Sequence, residues 1–139
     1  MKTPIIYKYS ILTRFSDLDS YNHVNFKHYF DYVINSRLYF MQERFQIGLF
    51  ELAQKVGIGF YATQSEIKFI RPIKGLISVE VESYVREVID ESTLRTPFKI
   101  FNNQSGKIYS EGQIDFSIVD VNTGWKTPIN EKIGNLLFE

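Results

Sequence analysis

The chain has 139 residues, 44% hydrophobic and 23% charged, with sixteen basic residues against sixteen acidic ones and no cysteine. That size and make-up predict one soluble domain over residues 1–139 whose core needs no disulfide. Balanced charge without a Lys/Arg block argues against nucleic acid, the lack of an apolar run of about 18 residues argues against membrane insertion, and the missing thiols exclude cysteine nucleophiles and Cys-bound metals. The N-terminus, MKTPIIYKYS, interrupts its apolar residues with Pro4, Lys8 and Ser10. It does not resemble an export signal, so the cytoplasm is the expected location and the chain is expected to start near Met1.

In chain order, residues 5–15 mix β-branched and aromatic types with Lys8, Ser10 and Thr13 as polar alternates, which predicts a strand. Residues 16–25 cluster Ser, Asp and Asn without periodicity and read as a loop, with Asn25 or Asn22 capping the helix that follows. From Phe26 to about Phe45, apolar residues cover much of the helical circumference. Polar residues thicken toward Arg44, so the first half of this helix should lie deepest. A short amphipathic piece over 49–56 ends at Gly57 and Gly59. The remainder reads as β, in the segments 60–71, 77–89, 92–102 and 107–121, with a turn at NNQSG, 102–106. One strand, one long helix and four strands give an α+β fold: an antiparallel sheet of about five strands wrapped around one long central α-helix.

Residues 14–37, RFSDLDSYNHVNFKHYFDYVINSR, hold two carboxylates, a histidine and two asparagines just ahead of the aromatic helix. Several chemistries fail on spacing. As a calcium loop starting at Asp17, the stretch has Tyr21, Asn22 and His28 where Asp/Asn, Gly and Glu are required. His23 and His28 are five residues apart, off the spacing that stacks two ligands on one helix face, and no third nitrogen or sulfur ligand exists, so no metal is expected. No G-x-S-x-G elbow is present, and Gly57-x-Gly59 is too short for a dinucleotide loop.

The same stretch resembles the signature of the 4-hydroxybenzoyl-CoA thioesterase branch of the hotdog-fold superfamily, an R-[FY]-x-[DE]-x-D-x-x-G-H-V-N-N-x-x-Y pattern preceding a central helix. Downstream, SEIKFIRPIKG at 65–75 resembles the family's strand ending in an Arg-Pro pair, and EGQIDFSIVDVNTGWKTPI at 111–129 resembles its last long strand followed by a tail. The resemblance implies a thioester hydrolase without metal or redox cofactor, acting on acyl-CoA or another acyl thioester, and assembled as a homodimer or homotetramer with an acyl tunnel between protomers. It places the catalytic carboxylate at Asp19 and an oxyanion-binding backbone N–H at Phe26, where free amides of the first helical turn carry partial positive charge. Read without the family, Asp19 is a turn or capping residue. Asp17, two positions earlier in a segment read as extended, would point to the same side as Asp19, so that repulsion raises one pKa; it could also orient the loop or pair with Arg14. His23 and Asn25 either hold the carbonyl or water or tie the loop to the helix, Tyr29 lines the site or belongs to the core, and Arg37 is expected to be a structural ion-pair partner.

The chain departs from the pattern at Asn22, in place of Gly, which tolerates a left-handed φ. It departs again at Phe26, in place of the second Asn, and at Ile34, where many relatives carry Glu. The turn Ile89-Asp90-Glu91 lacks the basic residues that some relatives use for CoA phosphates, so either Lys68, Arg71 or Lys74 takes that role or the natural thioester is not a CoA ester. Two other readings stay open: an acyl-thioester binding or sensing module without turnover, and a thioesterase for acyl carrier protein. Hotdog hydratases place Asp and His five apart, against four for Asp19 and His23, which argues against that reaction.

Overall fold

The computed structural model describes residues 2–139. Strand β1 (Tyr7–Leu12) is followed by two 3₁₀ turns (Phe15–Asp17 and Phe26–His28) and helix α1 (Tyr29–Phe45). Next come α2 (Leu49–Glu51), which continues as a π-helical turn (Leu52–Val56), and β2 (Ile58–Phe69). The chain closes with β3 (Ser78–Ser83), β4 (Glu87–Asp90), β5 (Thr93–Phe101), β6 (Ile108–Asp120) and helix α3 (Glu131–Leu137). The six strands form one antiparallel sheet in the order β1-β3-β5-β6-β2, with β4 also paired to β5. Among the described residues no helix is long and apolar enough to cross a membrane.

Helix α1 packs against β1 and β3 of this sheet. Its buried residues are Tyr29, Tyr32, Val33 and Ser36 in the first half and only Met41 in the second, so the first half does lie deepest. The core divides along it. One cluster gathers Tyr29, Tyr32 and Val33 with Ile73, Val79, Val81 and Ile100. The other gathers Met41 with Ile5, Leu52, Leu94, Ile118 and Ile133. Residues 33, 37 and 41 share one helical stripe, so Arg37 stands between the two clusters.

Two expectations are corrected. The segment 77–89 is not one strand: β3 pairs with Phe98–Phe101 and β4 with Thr93–Arg95, and Tyr84–Arg86 carry the bend between them. Alternation hides the break, because Val79, Val81, Ser83 and Val85 are all buried across it. The stretch after β6, expected to be a tail, ends in α3. Asn130 caps α3 by accepting from the Ile133 amide (2.9 Å), while buried Ile133 and Leu136 pack into the second cluster and the Tyr7 hydroxyl donates to the Leu136 carbonyl (2.7 Å). Seven residues are too few for a helical period to stand out.

Candidate active site

The loop before α1 is a tight hairpin. Leu18 bridges Val24, the Asp19 amide donates to the His23 carbonyl (2.8 Å), and the Asn22 amide donates to the Asp19 carbonyl (3.0 Å). Asn22 takes φ 64°, the left-handed conformation that an Asn tolerates and that closes such a turn. The Asp19 side chain locks the turn from within: Oδ1 accepts from the amides of Tyr21 (2.8 Å) and His23 (3.1 Å). Asp19 is exposed, and Oδ2 makes no hydrogen bond within the described residues. Turn residue and reactive carboxylate are therefore compatible roles for one side chain.

Asp17 has a different environment. Phe15–Asp17 forms a 3₁₀ turn in place of an extended segment, so Asp17 turns inward, 1% exposed, while Asp19 turns outward. Oδ2 of Asp17 accepts from the Tyr32 hydroxyl (2.6 Å), the Arg14 amide (3.1 Å) and Arg14 Nε (3.3 Å), and Oδ1 accepts from Arg14 Nη2 (3.0 Å). Burial opposes its ionisation, but the hydrogen bonds from Tyr32 and Arg14 outweigh it and hold the carboxyl below its usual range. Repulsion from Asp19 is thus not what sets its pKa. Burial, reinforced by the bond to Asp17, pushes the Tyr32 phenol far up. The Asp17 carbonyl also accepts from the Asn25 amide (2.8 Å), which ties this buried anchor to the helix entry.

Asn25 caps that entry by accepting from the Lys27 amide (3.1 Å), as expected of it. With the Asn25 amide engaged by Asp17, the Phe26 amide is the one at the first turn that donates to no acceptor among the described residues. His28, weighed from the sequence only as a metal ligand, sits beneath the loop with Nδ1 buried and unbonded, 3.6 Å from Asp17 and 3.5 Å from Asp31.

Asp19, His23, Asn25, Phe26 and Tyr29 line one open depression of about 360 Å³, together with Phe69, Ile70, Arg71 and Pro72 from the end of β2 and its exit. Phe26 and Tyr29 meet Phe69 edge-on, at ring separations of 6.2 and 5.1 Å. Tyr29 is both core and wall: it is 3% exposed and burial pushes its phenol pKa up. The depression brings together every expected site residue except Asp17, which supports it from below. Phe69 and Ile70 were not foreseen; the adjacent Arg-Pro pair was the one signal that this stretch approaches the loop. Residues carrying a carboxylate oxygen without a protein partner, a free helix-start amide and an aromatic wall thus border one space open to solvent.

Arg37 does not find the ion-pair partner expected of it. It donates from Nε to Ser83 Oγ (3.0 Å) and from Nη2 to Thr96 Oγ1 (2.8 Å), and lies 5.1 Å from the centre of the Phe116 ring.

A family model described as the thioesterase-like superfamily matches residues 13–137. No curated protein matches the chain. Among solved structures, the chain is similar to Slr0204, a 1,4-dihydroxy-2-naphthoyl-CoA thioesterase from Synechocystis, with a TM-score of 0.82 at 11% identity, covering 94% of each chain. It is similar to the DHNA-CoA thioesterase of Staphylococcus aureus, with a TM-score of 0.78 at 15% identity over 94% of this chain and 85% of that one. A third similar structure is the S. aureus protein SAV2348 in complex with CoA, with a TM-score of 0.81 at 11% identity over 96% and 82%. At these identities the likeness is one of fold, a sheet wrapped around one helix.

Proposed function

Because the chain belongs to the thioesterase-like superfamily, we propose that it hydrolyses an acyl thioester, with acyl-CoA as substrate class and Asp19 as the catalytic carboxylate. The observation that carries this reading is the shared wall: Asp19, whose Oδ2 is unbonded among the described residues, and Phe26, whose amide has no acceptor there, line one depression. A thioester carbonyl whose oxygen accepts from the Phe26 amide gains charge as it becomes tetrahedral, and the helix start stabilises that charge. Asp19 attacks the carbonyl carbon itself or takes a proton from the attacking water, and the sulfur leaves as the thiol. His23 and Asn25 hold the loop and the helix entry in register, and Phe26, Tyr29 and Phe69 supply apolar surface beside the reacting carbon.

Two features support completion of the site by a second copy. Residues 61–66 of β2 are all exposed, and β2 ends the sheet with its outer edge unpaired. Pairing of two such edges about a two-fold axis would protect them and bring a second chain toward the depression, withdrawing Asp19 from bulk water. CoA phosphates would meet Arg71, which lines the depression, and Lys74, whose backbone bridges His23, with Lys68 on the same exposed strand.

The test is thiol release from a panel of acyl-CoA esters. The Asp19→Asn variant keeps an oxygen for the Tyr21 and His23 amides, so it should fold as the wild type does and lose about 100-fold or more in kcat/KM. A second reading, binding without turnover, is favoured by the engagement of Asp19 Oδ1 in the turn and by Ile34 at the position where relatives carry Glu. Equal inertness of both proteins toward esters that they bind would establish it instead.

A further inference from the structure

Beside α1, away from Asp19, lies a second cavity of about 280 Å³, with Ile34, Leu38, Met41, Phe60 and Leu94 among its walls and the exposed Leu49 and Ala62 at its mouth. Its lining is apolar except for Arg37, flanked by Ser83 and Thr96, and the two tyrosines Tyr7 and Tyr84, of which Tyr7 spends its hydroxyl on the Leu136 carbonyl. A guanidinium has five N–H donors, and the bonds to Ser83 and Thr96 use two of them. Among the described residues no carboxylate lies within 4 Å of Arg37, whereas Arg14 and Arg95 meet Asp17 and Asp115 at 3.0 Å. Burial pulls the Arg37 pKa down to about 10, so the group is still a cation at neutral pH. A charge surrounded by apolar walls without a counter-charge is costly unless something else supplies one.

We propose that this cavity receives the far end of the acyl group and that Arg37 selects acyl chains ending in a carboxylate. The inference rests on the thioesterase reading above and adds the substrate class. Tyr29, on the depression beside Asp19, and Arg37, in this cavity, are eight residues apart on α1, a rise of roughly 12 Å at about 80° around the helix, which calls for an acyl chain of medium length. A methyl terminus arriving at Arg37 would displace water and leave its donors unsatisfied. A carboxylate terminus accepts two of them in parallel and neutralises the cavity.

The test is calorimetric titration of the full chain with paired non-hydrolysable thioether analogues of CoA, equal in chain length and ending in methyl or carboxylate. Wild type should bind the carboxylate-ended analogue about tenfold more tightly or better. The advantage should vanish in Arg37→Met and persist in part in Arg37→Lys. Equal binding of the two analogues by wild type, or preference for methyl, overturns the proposal, and that comparison decides the matter even if Arg37→Met fails to fold. Thiol release from the corresponding thioesters separates the two inferences: selective binding without cleavage removes the hydrolase and leaves the carboxylate site standing.

Discussion

Two aspartates two residues apart divide the work of the loop. Asp19 stays at the surface, where its backbone and one carboxylate oxygen close a turn and the other oxygen is left over. Asp17 goes inside, where Tyr32 and Arg14 supply its hydrogen bonds, and its role is to hold the helix entry. Tyr32→Phe should destabilise the fold by about 1.5–3 kcal/mol, the usual cost of removing a hydrogen bond to a buried charged group, as read from the denaturation midpoint. The pH dependence has a definite sign. The folded pKa of Asp17 lies below its ordinary value of 3.8, so its contribution is complete above that value and is lost as pH falls through the depressed one. Acid titration of stability should therefore show a loss that begins near pH 4 and is smaller in Asp17→Asn. An equal acid loss in both proteins would assign the sensitivity to other groups.

At the scale of elements, the site depends on how β2 lies against β6. Gly112 of β6 faces Ile67 of β2 and Phe98 of β5, and a Cβ at this position would stand 2.1 Å from the Glu66 carbonyl oxygen and 2.9 Å from the Phe98 ring. Backbone cannot yield there without parting the strands. Gly112→Ala should destabilise by about 1–3 kcal/mol, seen as a lower denaturant midpoint, and should weaken activity because Phe69, at the end of the neighbouring strand β2, walls the depression. A variant as stable as wild type would show that β2 can shift without cost. The bend between β3 and β4 belongs to this scale too: it follows from wrapping a sheet around a helix, and alternation, which survives the bend, cannot register it.

For the whole molecule, the exposed β2 edge is where a second copy would pair. Tyr61 stands on it, 65% exposed. A Glu at this position would place a charge on the paired edge, a device that blocks edge-to-edge association. Tyr61→Glu should shift a dimer toward monomer in sedimentation velocity and reduce thiol release in parallel. A wild type that sediments as a monomer while fully active would remove the second copy from the mechanism. Arg37 belongs to this scale as well, because its surroundings come from β3, β5 and β6 at once.

Local signals determined much of this protein by themselves. Period-two and helical patterning marked the five β segments and the long helix, the asparagines at 22 and 25 marked the helix entry, and the stretch from Arg14 to Arg37 marked where chemistry could occur. These are readable because each depends on residues a few positions apart, whose mutual geometry secondary structure already sets. What the tertiary structure decided lies between distant residues: that Asp17 turns inward to Tyr32 while Asp19 turns outward, that Phe69 closes the wall beside Phe26, that Ile133 and Leu136 anchor a last helix, and that Arg37 meets hydroxyls and an aromatic ring in place of a carboxylate. Charge and burial at such points are properties of the packed neighbourhood, and no linear spacing encodes which strands will supply it.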